Sequence, residues 1–359
     1  MYACIRKQCK KTPLKNGFSR FAKRNNRRVR KIRMELWQLK QMQGLPLEVK
    51  IQKTNQRIIE FYEHFNGMVY VSHSGGKDST LLYYLVKKIY PDVPGVFVNT
   101  GNEYPELVRF MREQSDIVWL KPKIKIKQVF EKYGFPVGSK KKAYDVHKLR
   151  HQNLTPKYRN YLLNGDERGK AGCIGKIGKL LVEAPFDTHS ICCDIIKKNP
   201  LKKYHKETGR VPITGERCAE SKTRQDAYLA HGCNAYNANI PKCTPLAFWT
   251  DQDVLHYYHL YKTEMCSLYG KIIKGNGGIY ELTGLPRLGC VSCMMGVHLQ
   301  KLPNRFQILE LTHPKLHRHC MVYLGIEQVL QYINVPYQCY DKKYYGVKCK
   351  GGEQLKMII

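Results

Sequence analysis

Residues 68–86 constrain the fold of this chain more than any other stretch of its sequence. An apolar run at 68–71 is typical of a buried parallel strand, and Ser74-Gly-Gly-Lys-Asp-Ser79 follows it closely. Four apolar side chains then recur at helical spacing: Leu81, Leu82, Leu85 and Val86. The stretch therefore predicts a strand, a tight turn and the start of a helix. Glycines in such a turn let the backbone approach an anion, and a helix start offers unpaired N–H groups and the positive end of the helix dipole.

The turn also carries side chains that suit a phosphate group. Lys77 supplies a point charge, and Asp78 and Ser79 could hold Mg²⁺ or cap the helix. The turn differs from a Walker A loop, which has a glycine five residues before its Gly-Lys pair, because Val71 occupies that position here. The alternative is a strand–turn–helix unit that binds no ligand.

The alternation of strands and helices continues downstream. Apolar runs at 95–99, 116–120 and 211–215 predict three further buried strands, and residues 107–114 predict a helix. Such alternation is typical of an α/β fold with a Rossmann-like, doubly wound parallel sheet. A sheet of this kind binds its ligand at the carboxyl ends of the strands.

Three regions are expected along the chain. Residues 1–64 predict a basic arm followed by basic helices, and residues 65–250 predict the α/β domain that contains the turn. Within that domain, residues 121–185 predict a basic, tyrosine-rich helical insertion with a mobile loop that serves as a lid or as a substrate-contact region. Residues 251–359 predict a mostly helical, cysteine-containing C-terminal region that completes a metal site. An apolar helical stripe is expected in the first region at Val29, Ile32, Leu36 and Leu39.

The charge of the chain is strongly positive and unevenly distributed. The sequence has 61 Lys and Arg against 29 Asp and Glu, a net charge of +32. Residues 1–50 hold fifteen Lys/Arg and two Glu, and residues 121–160 hold twelve Lys/Arg and two acidic residues, with aromatic residues among them. This pattern indicates contact with a phosphate backbone, so we expect nucleic acid (DNA more than tRNA) or a nucleic-acid-bound protein as partner. A solvated basic surface is the alternative.

Two further features bear on the cellular compartment. The sequence has no run of about 18 apolar residues, which predicts no membrane span, and its N-terminal residues lack the pattern of a secretory signal. We therefore expect an intracellular, cytoplasmic protein. The chain has 14 cysteines, and in that compartment cysteines favour metal or redox chemistry over disulfides.

A second polar group follows the fourth predicted strand. Spacing at i, i+3, i+4 and i+7 would place four side chains on one face of a helix expected over residues 217–231: Arg217, Glu220, Ser221 and Arg224. Two arginines at the carboxyl end of a buried strand suit a phosphate or sulfate, and Glu220 could orient one of them. An exposed, salt-bridged helix face is the alternative.

Cysteines make the third group. Cys192 and Cys193 are adjacent, and Cys290 and Cys293 form a CxxC turn between glycines. Four thiolates suit either tetrahedral zinc or an iron–sulfur cube, and we expect the iron–sulfur cluster of the two. The alternatives are a buried structural cysteine pair with a separate zinc site, and a redox-active CxxC.

Five motifs occur in one order along the chain: SGGKDST at 74–80, TGNEYPE at 100–106, CCDIIKKNP at 192–200, GERCAESKTR at 215–224 and PLAFWTDQDV at 245–254. Together they resemble the phosphoadenosine phosphosulfate (PAPS) reductase family, over roughly residues 65–300. That family belongs to the adenine-nucleotide α-hydrolase superfamily of PP-loop ATP pyrophosphatases. The tandem cysteines with the later CxxC also resemble the [4Fe–4S] arrangement of adenylyl-sulfate reductases.

The resemblance implies an adenine nucleotide over the turn, with phosphate or sulfate held by Lys77, Arg217 and Arg224. We predict that these three residues and Asp78 are catalytic. The predicted nucleotide contacts are Ser74, Gly75, Gly76, Lys77, Asp78, Ser79, Asn99, Thr100, Gly101, Glu103, Glu220 and Ser221. The predicted metal ligands are Cys192, Cys193, Cys290 and Cys293.

Two departures separate this chain from the sulfonucleotide reductases it resembles. Those enzymes carry a degraded form of the loop, because their nucleotide has no β,γ-pyrophosphate, whereas this chain keeps Gly75, Gly76 and Lys77-Asp-Ser79. They also use a catalytic cysteine in an ECGLH-like tail. The tail of this chain has Cys339 and Cys349 without that motif. Both departures favour Mg·ATP as the ligand.

The branch that fits resembles the ATP-pyrophosphatase component of DNA phosphorothioation systems, with tRNA-thiolating enzymes as a neighbour. The expected function is adenylylation by ATP during sulfur transfer to nucleic acid, with a cysteine desulfurase as sulfur donor. One alternative is a PAPS or APS reductase that releases sulfite, with Cys339 or Cys349 as the nucleophile. Another is a non-catalytic, nucleotide-sensing DNA-binding regulator.

Overall fold

A computed structural model describes residues 34–168 and 172–339. The predicted basic arm, the first half of the helical stripe (Val29 and Ile32) and the tail with Cys349 lie outside the described residues. The strands are β1 (Val69–Ser72), β2 (Gly95–Val98), β3 (Ile117–Leu120), β4 (Val137–Gly138), β5 (Val211–Thr214), β6 (Asn234–Ala235), β7 (Lys242–Cys243), β8 (Ile272–Lys274), β9 (Tyr280–Leu282) and β10 (Met294–Met295). The helices are α1 (Leu36–Gln43), α2 (Leu47–His64), α3 (Lys77–Ile89), α4 (Pro105–Glu113), α5 (Ile126–Tyr133), α6 (Lys140–His151), α7 (Pro156–Asn164), α8 (Gly175–Val182), α9 (Asn199–Thr208), α10 (Lys222–His231), α11 (Asp251–Tyr261), α12 (Arg305–Thr312), α13 (Pro314–Arg318) and α14 (Ile326–Tyr332).

A six-stranded sheet with the order β3-β2-β1-β5-β7-β6 forms the centre of the fold. Its first five strands are parallel, and β6 pairs antiparallel with β7 at the edge. The chain order reverses at β1, where Val71 pairs with Gly95 on one side and with Ile213 on the other. Doubly wound sheets bind ligands at such a reversal. The predicted α/β class is confirmed.

The four predicted strands agree with β1, β2, β3 and β5 to within one residue at each end. Buried parallel strands read as continuous apolar runs, and three of these four have three buried residues each. The apolar composition of these strands therefore predicts that they are buried.

The prediction that a helix begins at Arg217 is wrong. A short 3₁₀ turn covers Cys218–Glu220, and α10 begins only at Lys222. The backbone of Ser221 is extended, and its hydroxyl caps α10 by accepting a hydrogen bond from the Arg224 N–H at 3.3 Å. Serine competes for backbone hydrogen bonds in this way at helix starts. The four polar residues of this segment therefore do not share one helix face.

Two clusters of buried side chains form the core. One surrounds β1 and β5 and includes residues of α2, α3 and α11. The other joins helices of the basic insertion to the C-terminal helices. β4 of the insertion pairs in parallel with β10, and Met294 lies opposite Val137. This pairing fixes the segment that follows the CxxC turn against the insertion.

Within the described residues, the structure contains no helix that is long and apolar enough to cross a membrane.

A buried ion pair sets the position of the start of α11. Lys50 Nζ on α2 lies 2.6 Å from Asp253 Oδ2 and donates to the Gln43 carbonyl oxygen at 2.6 Å. The Lys50 side chain is only 2% exposed. Asp253 also accepts hydrogen bonds from the N–H and hydroxyl of Thr250, and its own N–H donates to Thr250 Oγ1 at 3.2 Å, so Thr250 caps α11. The pair therefore holds the N-terminus of α11 against α2.

Replacing Lys50 with alanine is expected to destabilise the protein by about 3 kcal/mol, because the Asp253 carboxylate loses its buried countercharge. Urea denaturation monitored by tryptophan fluorescence measures the change as a lower midpoint. Lys40→Ala, on the exposed side of α1, is the matched control and is expected to cost less than about 0.5 kcal/mol. Equal midpoints for the two variants would show that the pair does not hold α11.

Candidate functional site

The predicted phosphate turn connects β1 to α3 at the carboxyl edge of the sheet. α3 begins at Lys77 with Gly76 as its N-cap, and Gly75 adopts a left-handed φ of +75° that favours glycine. Ser79 Oγ accepts a hydrogen bond from the Ser74 N–H at 3.1 Å and donates to the Gly76 carbonyl at 3.0 Å. These contacts give the turn a defined shape without a ligand.

Protein groups already bind several N–H donors of this turn. The Gly75 N–H donates to His73 Nδ1 at 3.1 Å, and the Lys77 N–H donates to the Tyr269 hydroxyl at 2.9 Å. The Tyr258 hydroxyl donates to the Lys77 carbonyl at 2.6 Å. Burial raises the pKa of both tyrosines, so they stay protonated. The start of α3 is thus fixed by two phenols, and it offers fewer open N–H groups than the sequence predicts.

Four charged side chains form a closed ring at this edge, which we call the charge ring: Lys77, Asp78, Arg217 and Asp251. Lys77 Nζ lies 3.4 Å from Asp78 Oδ2 and 3.4 Å from Asp251 Oδ1. Arg217 Nε lies 2.7 Å from Asp78 Oδ1, and its Nη2 lies 2.7 Å from Asp251 Oδ1. Each cation therefore contacts both carboxylates. Partial burial alone would raise the pKa of Asp251, but Arg217 and Lys77 outweigh it and lower the pKa.

The charge ring gives Arg217 a different place from the one predicted. Its side chain is 2% exposed and lies against two carboxylates, whereas the sequence predicts a phosphate or sulfate ligand beside Arg224. Arg217 is therefore suited to position Asp78 and Asp251. Sequence reasoning did not identify Asp251. The sequence feature that could have identified Asp251 is its position as a carboxylate in the first turn of a helix that follows a strand end.

A cavity of about 170 Å³ adjoins the turn. Its lining residues come from β1, the turn, β5 and the segment before α10: Ser72, Gly76, Asp78, Ser79, Thr214, Gly215, Glu216, Glu220 and Arg224. A Cβ at Gly215 would lie 2.9 Å from the backbone of Asp78, so glycine lets the end of β5 approach α3. Three carboxylates and one guanidinium therefore line this space, so a phosphate bound here would need a cation beside it.

Arg224 reaches this cavity, as predicted, and is balanced by two carboxylates. It contacts Glu220, and its Nε lies 4.0 Å from Glu216. Glu216 also pairs with Lys242 at 2.9 Å. Burial lowers the pKa of Arg224. Glu220 contacts this arginine, and its role in orienting Arg224 toward a ligand stays a prediction, while Ser221 serves as a helix cap.

The loop after β2 contains the remaining predicted nucleotide contacts. The Glu103 carboxylate accepts hydrogen bonds from the Thr100 N–H at 3.0 Å and the Thr100 hydroxyl at 2.6 Å. Asn99 Oδ1 accepts one from the Gly101 N–H at 3.0 Å. These side chains shape the loop itself, and they lie at the carboxyl end of the strand next to β1.

Hydrogen bonds join this loop to the CxxC turn. Asn102 Nδ2 donates to Ser292 Oγ at 2.7 Å, and the Asn102 carbonyl accepts from the Val291 N–H at 2.9 Å. Asn102 and Ser292 are both buried. Because Cys290 and Cys293 flank this contact, the position of the β2 loop fixes the position of the cysteine turn. Sequence reasoning missed both Asn102 and Ser292.

A second cavity, of about 130 Å³, lies between the turn and the CxxC segment. Its lining residues are Ser72, His73, Ser74, Val96, Phe97, Val98, Glu103, Leu107, Lys197, Leu201, Leu288 and Gly289. Burial lowers the pKa of His73 to about 3, so its ring is neutral. Since Nδ1 accepts the Gly75 N–H, the proton lies on Nε2. This cavity connects the predicted phosphate turn to the predicted cysteine site.

The predicted cysteine ligands act on one another electrostatically. A hydrogen bond from Cys192 to Cys193 raises the pKa of Cys192 and lowers that of Cys193. Burial raises the pKa of Cys290. Burial alone would lower the pKa of Lys197, but Cys290 in its thiolate form and the Glu103 carboxylate outweigh it and raise the pKa. With Lys140 also acting on Cys193, the thiols lie in an electropositive enclosure.

As the side chains lie, no three His, Cys, Asp or Glu residues in the described part of the chain are arranged to hold a metal ion. The residues nevertheless fit an iron–sulfur cluster in donor type and in charge. Thiolates are the ligands of such clusters, and adjacent lysines suit their negative charge. Lys197 was not identified from the sequence, although it lies within the CCDIIKKNP motif.

Comparison with known proteins agrees with these motifs. The family described as the phosphoadenosine phosphosulfate reductase domain matches residues 68–161 and 173–295. An uncharacterized protein of Methanocaldococcus jannaschii is 24% identical over 259 residues, which are 70% of this chain and 49% of that protein. The adenosine 5'-phosphosulfate reductase of Mycolicibacterium smegmatis is 28% identical over 232 residues, 64% of this chain and 73% of that enzyme. The crystal structure of a Candida auris PAPS reductase in a phosphate complex has a TM-score of 0.36 and 14% identity, over 66% of this chain and 91% of that one.

The chain spans about half the length of the Methanocaldococcus jannaschii relative. The family match covers more than half of the chain, and it includes the phosphate turn, Arg217 and Arg224 as well as the tandem cysteines and the CxxC turn. On this basis the protein belongs to the phosphoadenosine phosphosulfate reductase domain family.

Proposed function

We propose that this protein is an ATP pyrophosphatase that adenylylates a substrate during sulfur transfer to nucleic acid, as in DNA phosphorothioation or tRNA thiolation. The charge ring beside the 170 Å³ cavity is the observation that carries this proposal. A lysine and two carboxylates at one point suit a metal-bound triphosphate, because the lysine can bind phosphate oxygens while the carboxylates bind the metal. A sulfonucleotide has no β,γ-pyrophosphate that would use such a set.

The residues at this edge would divide the chemistry between them. Asp78 and Asp251 would hold Mg²⁺, which neutralises charge on the departing pyrophosphate. Lys77 and Arg224 would bind pyrophosphate oxygens, and Arg217 would keep the two carboxylates in place. An oxygen of the substrate attacks the α-phosphorus, the bond to the bridging oxygen breaks, and pyrophosphate leaves. The product is an adenylylated substrate.

Sulfur would then replace the adenylylated oxygen as AMP departs. A persulfide on a cysteine desulfurase suits as the donor: its terminal sulfur would attack the adenylylated centre as AMP departs, and a second cysteine thiol would then attack the resulting disulfide, releasing the thiolated product and leaving a cysteine disulfide. The four cysteines would hold an iron–sulfur cluster, with zinc as the alternative. Their CxxC turn contacts the loop after β2, beside the phosphate turn, through the Asn102–Ser292 hydrogen bond. This adjacency supports a role for the cysteine site in the sulfur step.

Sulfonucleotide reduction is the second candidate, because the Mycolicibacterium smegmatis relative is named an adenosine 5'-phosphosulfate reductase. Reduction by a thiol nucleophile requires an accessible cysteine. Cys339 is 3% exposed, and its Sγ donates to the Gln307 carbonyl at 3.4 Å. That burial argues against Cys339 as the nucleophile. Cys349 lies outside the described residues.

Offering the protein ATP, PAPS or APS with Mg²⁺, nucleic acid and a dithiol reductant separates the two candidates. We expect pyrophosphate release from ATP, measured by a coupled colorimetric assay. Asp78→Ala is expected to lower the rate by about a hundredfold, because the metal-bound leaving group loses a ligand. Sulfite release from PAPS or APS without pyrophosphate release from ATP would refute the proposed function.

Asp251→Asn tests the second carboxylate of the charge ring. The Mg²⁺ concentration for half-maximal pyrophosphate release is expected to rise about tenfold, because one of two carboxylate ligands is lost. Asp226→Asn is the matched control, since Asp226 is exposed on α10 and pairs with Lys222 at 3.2 Å. An unchanged Mg²⁺ dependence in Asp251→Asn would exclude Asp251 from the metal site.

The cysteine site predicts a visible signature. Protein prepared without oxygen is expected to be brown, with a broad visible absorption band that Cys290→Ser removes, because an iron–sulfur cluster loses a thiolate ligand. Cys173→Ser, at a half-buried cysteine outside this site, should keep the colour. A colourless protein with one zinc ion per chain would refute the iron–sulfur cluster and support the zinc alternative.

A further inference from the structure

A stripe of basic and aromatic side chains runs along α6. Lys140, Tyr144 and Lys148 are spaced at i, i+4 and i+8, so they lie on one face of the helix. Lys148 Nζ lies 4.6 Å from the centre of the Tyr144 ring and 5.5 Å from the Tyr158 ring of α7. It also donates to the Tyr158 hydroxyl at 3.2 Å. One lysine therefore bridges two tyrosines from adjacent helices.

Both tyrosine rings face solvent although the helices beneath them are anchored. Tyr144 is 44% exposed and Tyr158 is 37% exposed. The opposite face of α6 places Val146 and Leu149 in the core, and Tyr158 stacks on Tyr161 at an interplanar angle of 17°. Large exposed aromatic rings held on a rigid base are typical of binding surfaces.

The charge around these rings is strongly positive. Residues 140–159 hold seven Lys/Arg and one acidic residue, Asp145, which is buried. Arg150 turns inward and donates to three backbone carbonyls, so it supports the fold. Lys140, Lys141 and Lys142 are all exposed at the start of α6. The outward face thus combines Lys140 and Lys148 with two flat rings, while Lys141 lies 3.8 Å from the Asp145 carboxylate.

This face lies next to the cysteine site. The Tyr144 ring is 5.9 Å from the ring of His189, and the His147 ring is 4.3 Å from the same histidine. His189 precedes Cys192 by three residues. A chain bound along α6 would therefore run toward the tandem cysteines.

We propose that α6 and α7 form a platform for single-stranded nucleic acid, with bases stacked on Tyr144 and Tyr158 and the backbone along Lys140–Lys142. The purpose of the platform rests on the proposed function, since it would bring the strand to the sulfur-transfer site. Stacking requires bases that are not already paired and is tolerant of sequence, which favours single strands over duplex. An acidic protein could match the lysines, but it would not use the two rings as a pair.

Fluorescence anisotropy with a labelled single strand, in DNA and RNA forms, and with the matching duplex tests the platform. Tyr144→Ala with Tyr158→Ala is expected to weaken single-strand binding about tenfold and duplex binding less than about twofold. Lys140→Gln, Lys141→Gln and Lys142→Gln combined should reduce the slope of log affinity against log salt by about two. Thermal melting checks that each variant is folded.

The matched control replaces three exposed lysines of α9 with glutamine: Lys202, Lys203 and Lys206. It removes equal charge and should leave single-strand affinity within about twofold. An equal loss in the α9 variant, wild-type binding by the tyrosine variant, or full competition by polyglutamate would overturn the platform. Photo-crosslinking of an iodouracil strand adds a direct readout, since crosslinks exclusively outside α6 and α7 would also overturn it.

These binding measurements use no ATP, so their results are independent of the pyrophosphatase test. Loss of single-strand binding in the tyrosine variant, in a protein that releases no pyrophosphate from ATP, would support the platform and refute the proposed function. Pyrophosphate release from ATP by the wild-type protein, with unchanged single-strand binding by the tyrosine variant, would support the proposed function and overturn the platform.

Discussion

The contact of Arg217 with Asp78 and Asp251 is the interaction on which the rest of the site depends. It joins the end of β5 to the first turns of α3 and α11. The guanidinium is almost fully buried, so its removal would leave the two carboxylates to share the Lys77 ammonium group, at a cost of about 3 kcal/mol. Gly215 allows this approach, because a side chain there would meet the backbone of Asp78.

Lys77 is the second cation of the charge ring, and it lies farther from the two carboxylates than Arg217 does. Its backbone is fixed by Tyr258 and Tyr269, while its ammonium group lies at 3.4 Å from each carboxylate. Under the proposed function, the metal of a bound triphosphate would take the place of the lysine on the carboxylates, and the lysine would bind phosphate oxygens. The ring itself pairs two positive charges with two negative charges.

A hydrogen bond and a shared lysine join the carboxyl edge of the sheet to the cysteine site. Asn102 binds the CxxC turn through Ser292, and Lys197 lies between the second cavity and Cys290. A ligand that moves the β2 loop would move the cysteines with it. This arrangement suits a reaction in which activation and sulfur delivery occur at neighbouring points.

Much of the fold was predictable from the sequence, and the reason is physical. Buried parallel strands are continuous apolar runs, so β1, β2, β3 and β5 could be placed within one residue. The roles of Arg217 and Asp251 could not be predicted, because an ion pair between distant segments depends on how they pack. Ser221 misled the helix prediction, since a serine suits both a helix face and a helix cap.

The cysteine residues predicted both ligand pairs, and the resemblance to adenylyl-sulfate reductases agreed with that prediction. Neither showed that Asn102 and Ser292 would join the CxxC turn to the β2 loop, because that contact also depends on the tertiary fold. The reading of Lys77 and Asp78 as residues for Mg·ATP stays a prediction that rests on the charge ring.

Calorimetric titration of the wild-type protein with Mg·ATP, with ATP in the absence of Mg²⁺, and with PAPS tests this account most directly. The charge ring predicts that Mg·ATP binds at least about tenfold more tightly than PAPS, and that withholding Mg²⁺ weakens ATP binding. Tighter binding of PAPS than of Mg·ATP, with no effect of Mg²⁺, would contradict the account.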